Sequence, residues 1–485
     1  MGIFRSTNPT DWNAVDGIII DEVTPTPAIG GVPANIAILA GQFERGPANV
    51  LTAVGSLGEV YEKFGNNLSF SGLVALQNKK FSSLKIVRVV ASAASAATKT
   101  FQKTATNIVT FTAKYLGAYG NNISVTIAAG TSVGSKYTIH DNNSGAVWPD
   151  EVYDNVLITA GATAFNTIFG NSNLVTVPTI VASSFEPDPV AATSLLIGSD
   201  DVMGDTNYQT AIAAQQTEAS GNILFLDAYN TTRNGYLKTS MAATTDRMAI
   251  VCGAAGDSVT TAVTAVAGLR DTDGRLIYAF PYVTTSIQGI NTKVNPASFY
   301  ASLLSQLSPH IDPAYALNSQ FVSGIIDIEL SLQRSDYVTL AAAGISAFEN
   351  DSDVGIKIKS GVVTQILNSG KIMVFRRRMA DYLTYSVAKF MKNYQNAPNS
   401  LDQQTAAVSA IVNFNRSMEA AGLVPKDAEV QNGDASIVDG KSLNTNASIA
   451  AGYFKILWRR RIYSSMRYIV LVADISTSVV VTAQG

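Results

Sequence analysis

The chain has 485 residues, 47% hydrophobic and only 15% charged, with a formal net charge of −3. That balance offers no overall attraction to nucleic acid or to an anionic membrane, and the lone Cys252 rules out a disulfide framework. An average soluble domain is about 25% charged, so either much of this surface meets other protein or the chain is an ordinary globule rich in Ala, Thr, Ser and Val.

Residues 1–27 read as an extended arm. The opening "MGIFRSTNPTDW" lacks the apolar centre of a secretory signal, and its match to a myristoylation signal through Ser6 is superficial. "GIIIDEV" is β-prone, with Ile18, Ile19, Ile20 and Val23 as its apolar residues, and Pro25 and Pro27 hold the end of the arm extended. A lone strand with no hairpin partner is marginal in water and must pair elsewhere.

Residues 28–95 form the first part of a core. "NIAILAG" reads as a strand; "SLGEVYEKFG" reads as a helix with a Ser56/Glu59 capping box and Gly65 as its C-terminal cap. A second helix around "SGLVALQNKKF" leads to the strand "LKIVRVVA", and "ASAASAATKT" marks a linker.

Residues 96–204 are a β-rich insertion of alternating segments such as "ISVTIAA" and "NLVTVPTIV". Within it, "TAKYLGAYGNNISVTI" reads as strand, β-turn and strand, with Gly117 and Gly120 suited to positive φ and Asn121 and Asn122 where the chain folds back.

In residues 205–370 the strands "NILFLD", "RMAIVCG" and "RLIYAF" alternate with helical segments, of which "SVTTAVTAVAGL" is the clearest. Buried strands alternating with helices predict a largely parallel sheet covered on its faces.

Residues 371–467 open with "KIMVFRRRMADYLTYSVAKFMKNY", helically spaced at Met379, Leu383, Val387 and Phe390. A second helix starts at Ser400 with Gln403 as its box partner and a stripe of Val408, Ile411, Val412 and Met418. Residues 468–485 hold a terminal strand and arm, "RYIVLVADI" supplying Ile469, Val470, Leu471 and Val472. No run approaches 18 apolar residues, so the chain reads as soluble and made in a cytoplasm.

Catalytic signatures are thin. "CGAAGDSV" sets Ser258 after an apolar strand, as in a Gly-Asp-Ser hydrolase turn, but no histidine lies beyond His310 to act as its base; Ser258 reads better as a helix cap. Cys252, inside "MAIVCG", reads as a buried strand thiol. No phosphate-binding loop or His/Cys metal cluster is present, and "ENDSDVG" lacks calcium-loop spacing. No cofactor is expected. The triplets Arg376–Arg377–Arg378 and Arg459–Arg460–Arg461 are solvated, paired within the protein, or a docking surface for an acidic protein partner.

Five segments, in order, resemble the contractile tail sheath proteins of bacteriophages and phage-tail-like particles. They are "GGVPANIAILAGQFERGPANVLTAVGSLGEVYEKFG", the Gly-aromatic-Gly-Asn turn above, "DTDGRLIYAFPY", "LAAAGISAF" and "VFRRRMADYL". The insertion does not align beyond its turn, and Ala341 stands where the family often has asparagine.

The resemblance implies an α/β and α+β multidomain, non-enzymatic subunit: a central α/β domain, a β-rich inserted domain, an α+β C-terminal domain and two arms. It implies stacked six-fold rings around an inner tube, a virion tail assembled in the bacterial host cytoplasm, and baseplate, tube and tail terminator proteins as partners, with no direct nucleic-acid or membrane partner. Strand exchange would fall on Ile18, Ile19, Ile20, Val23, Ile469, Val470, Leu471 and Val472. Tube contact is expected at Arg376, Arg377 or Arg378, since cations at a helix N-terminus are unfavourable for the helix itself. The insertion is expected to be a peripheral, tolerant decoration. The alternatives are a hydrolase using Ser258 and a static surface-layer or adhesin protein.

Overall fold

The computed structural model describes residues 2–5, 17–20, 29–31, 33, 35–65, 81–143, 146–216, 222–244, 246–287, 289–315, 324–367, 370–426 and 437–464. Its centre is an eight-stranded sheet. In spatial order the strands are Gly355–Ile358, Ile345–Asp351, Leu276–Phe280, Met248–Cys252, Asn222–Leu226, Ile36–Gln42, Ser83–Val89 and Leu51–Val54. The inner six run parallel, and the two edge strands are antiparallel to their neighbours.

Strand alternation builds the layers. Ala37 and Leu39 enter one core with Val60 and Phe64 of the helix Leu57–Phe64 and with the helix Ala297–Gln306. Ile38 and Ala40 enter the opposite core, covered by the helices Asp205–Gln215, Thr231–Ala242, Val259–Leu269 and Arg334–Ala343. The expected parallel sheet with two covered faces is therefore present. Its strands come from both sides of the insertion, so residues 36–89 and 222–358 share one sheet.

The insertion has its own core between two sheets. One orders Glu151–Val156, Ser135–Asp141, Ile123–Ala129 and Val190–Ser194; the other orders Thr179–Ile180, Thr106–Thr112 and Thr98–Lys103. Phe111, Tyr137, Phe165 and Phe169 fill the space between them. The first strand already begins at Thr98, inside the stretch read as a linker.

The expected strand–turn–strand unit is not a hairpin. Thr106–Thr112 and Ile123–Ala129 belong to different sheets and are joined through a 3-10 turn, Ala118–Asn122. Gly117 does take a positive φ, of 114°, but Gly120 does not. Gly120 is required for a different reason: a Cβ there would lie 2.6 Å from Ala113 Cβ and 2.9 Å from Ala97 Cβ.

In the C-terminal part, the helix Val374–Met391 packs Met379, Leu383 and Val387 against Ile411 and Phe414 of the helix Leu401–Ala420. Of the expected stripe, Ile411 is buried in this core and Met418 packs against it, whereas Val408 and Val412 are only half-buried and Phe414 is the further residue that enters it. A hairpin of Ile437–Asp439 and Leu457–Arg459 lies beside these helices. The "SGLVALQNKKF" helix, save Phe81, and the terminal strand of residues 468–485 lie outside the described residues.

The predicted N-caps are present, but neither expected capping box is closed by its side-chain partner. Ser56 accepts from Glu59 N–H, but the Glu59 carboxylate accepts from Gly55 N–H instead of closing the box on Ser56. Ser400 accepts from Gln403 N–H. "ENDSDVG" is a hairpin turn, with Asp351 Oδ1 accepting from the N–H groups of Asp353 and Val354.

Candidate assembly surfaces and domain joints

Ser258 caps the helix Val259–Leu269: its Oγ accepts from Thr261 N–H at 3.2 Å and lies 3.0 Å from Thr261 Oγ1. Neither histidine is among its partners; His140 pairs with Asp150 and His310 is half-buried. Cys252 is buried, which pushes its thiol pKa well up. Among the described residues no group of His, Cys, Asp and Glu could hold a metal ion, and no helix is long and apolar enough to cross a membrane.

Ile18, Ile19 and Ile20 lie on the strand Gly17–Ile20, which is not alone. It pairs in parallel with Gly2–Arg5, Ile3 opposite Ile18 and Phe4 opposite Ile19. Among the described residues this ribbon joins no other sheet. Val23, Ile469, Val470, Leu471 and Val472 lie outside the described residues. The C-terminal hairpin is likewise a two-stranded sheet that no third described strand joins.

The arginine triplet at residues 376–378 is largely engaged inside the chain. Arg378 is 5% exposed; its Nη2 donates to Leu304 O at 2.8 Å, Leu307 O at 3.0 Å and Asn35 Oδ1 at 2.9 Å. Burial lowers its pKa to about 10, so it stays charged at neutral pH. Arg377 bonds the buried Asp381 one turn along, Nε to Oδ1 at 3.0 Å, and Arg275 grips the same carboxylate from the central sheet. The premise that these arginines serve no internal stability role is therefore corrected: acceptors on two other segments, and Asp381 on the helix itself, oppose the helix-dipole penalty. Arg376 is half-exposed, and no described residue accepts a hydrogen bond from it. In the second triplet Arg460 is tied inward, donating to Glu419 Oε1 at 2.6 Å and Pro425 O at 2.7 Å; Arg459 is exposed.

A second joint, between the central and inserted domains, went unread in the sequence. Arg88, at the end of a core strand, donates to the carbonyls of Phe43, Glu44 and Gly46 and, across the boundary, to Leu116 O at 2.8 Å. Asp200 approaches it at 4.0 Å. Arg45 donates through Nη2 to Tyr61 O and Glu62 O, both at 3.0 Å, at the end of the helix Leu57–Phe64. Its Nη1 reaches Tyr119 Oη and, at 3.5 Å, Asp141 Oδ2, while its guanidinium lies 4.1 Å from the centre of the Trp148 ring. Tyr119 donates to Asp141 in turn. Asn121 and Gly198 exchange two bonds, of 2.8 and 2.9 Å. The Gly-Ala-Tyr-Gly-Asn turn thus faces the core, and the signal for it in the sequence is an arginine inside the apolar strand "LKIVRVVA".

No family model and no curated protein sequence matches this chain. Solved structures do. A sheath tail protein from Listeria innocua superposes with a TM-score of 0.63 at 15% identity, over 86% of this chain and 90% of that one. The chain has the tail-sheath fold. A sheath tail protein from Desulfitobacterium hafniense aligns with a TM-score of 0.58 at 16% identity, covering 87% and 93%. The helical sheath of the anti-feeding prophage, in its contracted state, aligns with a TM-score of 0.60 at 13% identity, covering 96% and 99%. At these identities the likeness concerns the tail-sheath fold itself, which spans nearly the whole chain in the last case.

Proposed function

We propose that this chain is the structural subunit of a contractile tail sheath, polymerising as stacked six-fold rings around an inner tube and shortening to drive that tube through a cell envelope. The observation that carries the reading is the end-to-end correspondence with a helical sheath subunit, 96% of this chain against 99% of that one. Ser258, as a helix cap, gives the hydrolase reading no support. Energy for contraction would come from differences between subunit contacts, which act as bistable interfaces.

The arms would link subunits by strand addition. Among the described residues no third strand joins the pair Ile437–Asp439 and Leu457–Arg459, so its edges are open to strand addition. Ile18, Ile19, Ile20 and Val23 from one neighbour, and Ile469, Val470, Leu471 and Val472 from another, would complete it. At about 0.5–1.5 kcal/mol net per hydrogen bond, one arm contributes several kcal/mol.

Tube contact would fall on the C-terminal domain, with Arg376 as the member of its triplet that has exposed charge to offer and Arg377 and Arg378 holding the helix behind it. Contacts of this screened, polar kind release more readily than a large apolar patch. Baseplate and terminator proteins would hold the two ends of a virion tail assembled in the host cytoplasm.

Electron microscopy of the purified chain tests this reading. Tubes or stacked rings are expected, and deletion of residues 1–24 should leave a folded, soluble protein that forms neither. A strictly monomeric wild-type chain under all assembly conditions would overturn the sheath reading; normal tubes from the deletion would overturn the arm's part in it.

A further inference from the structure

We propose that Arg45, seated in the slot of Tyr119, Trp148 and Asp141, is a lock that makes the inserted and central domains one mechanical body. The chain passes between the two domains twice, before Thr98 and after Ser194, and these two passages pair with each other. Ser95 N–H donates to Ser199 O at 2.9 Å, and Thr98 and Leu196 exchange bonds of 2.8 and 3.0 Å. A single paired neck of this kind acts as a hinge unless side chains off it oppose rotation, and two arginines of the central domain do so: Arg88, which donates to Leu116 O, and Arg45. Arg45 belongs to neither passage. It leaves the strand Ile36–Gln42 and meets the insertion through Tyr119, Trp148 and Asp141.

The guanidinium is shared between the two bodies. Nη2 serves two carbonyls at the C-terminal end of a core helix, while Nη1 and the ring-facing surface serve the insertion. The Arg45 and Asp141 side chains are 2% and 0% exposed. Swinging the insertion away would part Arg45 from Tyr119, Asp141 and Trp148 at once, giving up charge-assisted contacts made where water is excluded. Only a planar fork with five donors spans both sets of acceptors; a lysine ammonium could satisfy one side at a time. Taken with the sheath reading, on which this consequence rests, contraction would then move each subunit's central and inserted domains together, with the motion taken up at the arms and subunit contacts.

The test uses the full-length chain and two readouts, scanning calorimetry and amide hydrogen exchange. The wild type should unfold in one transition spanning both domains, with the strands Ile123–Ala129 and Ile36–Gln42 exchanging through the same opening. Arg45→Met should split that transition in two and speed exchange in Ile123–Ala129 about ten-fold or more relative to Ile36–Gln42. Arg45→Lys should move both readouts the same way but less far. If Arg45→Met fails to yield folded protein, Tyr119→Phe, which removes the hydroxyl between Arg45 and Asp141, is read by the same criteria. The lock is overturned if the wild type already shows two independent transitions, or if the variants shift one transition without splitting it. Tube formation by the wild type decides the sheath reading separately.

Discussion

Arg275 holds Asp381 by both carboxylate oxygens, Nη1 to Oδ2 at 2.7 Å and Nη2 to Oδ1 at 3.0 Å, and so pins the C-terminal helix to the start of a central strand. Arg377 shares the same carboxylate, which leaves one anion serving two cations in a site with little solvent. Removing the anion strands both. Asp381→Ala should therefore cost about 3–5 kcal/mol, read from denaturant midpoints, far more than an exposed ion pair is worth. A loss below about 1 kcal/mol would mean that water replaces the carboxylate easily and that this joint is not rigid.

Arg376 and Arg378 are neighbours with opposite roles. Arg378→Met leaves Leu304 O and Leu307 O without their donor and should cost about 1–3 kcal/mol. Arg376→Met should stay within about 0.5 kcal/mol of the wild type. Arg376→Glu, folded as well as the wild type, should nevertheless impair assembly templated by an inner tube while tube-free polymers still form. Unchanged templated assembly would remove Arg376 from the tube contact.

His310 carries a pH signature. Burial first, and the Arg378 charge second, lower its pKa from 6.5 in the folded chain. Between the folded and unfolded values the unfolded chain binds more protons, so stability falls as pH drops below 6.5 through the folded pKa. His310→Gln should flatten that part of the stability profile. With only two histidines in the sequence, an imidazole-labelled titration can assign the lowered value directly; an imidazole at 6.5 or above would contradict it.

Ser258→Ala removes one helix cap and the hydroxyl contact with Thr261 Oγ1. A cost of about 0.5–2 kcal/mol is expected in thermal unfolding, with tube assembly intact. Loss of function in correctly folded, fully assembled material would reopen a chemical role for this hydroxyl.

The elements themselves were legible in the sequence because their causes are local. Side-chain alternation, helical spacing and caps act within a few residues, so "NIAILAG", "RMAIVCG", "SVTTAVTAVAGL" and the cap at Ser56 could be read directly, as could the stripe from Met379 to Phe390. Joints have no local cause. Arg88 and Leu116 are 28 residues apart, Arg275 and Asp381 are 106 apart, and nothing near any of them in the chain names its partner. The sequence alone therefore determined these strands, helices and caps, whereas the helix Gly161–Phe169 went unmarked and "NLVTVPTIV" holds only the short strand Thr179–Ile180. Only the tertiary structure decided that the Gly-Ala-Tyr-Gly-Asn turn faces inward and that two arginines of the triplet at residues 376–378 are internal pins. The physical reason is that a buried charge is tolerated only where distant segments converge to pair it, and that convergence is a property of the fold as a whole.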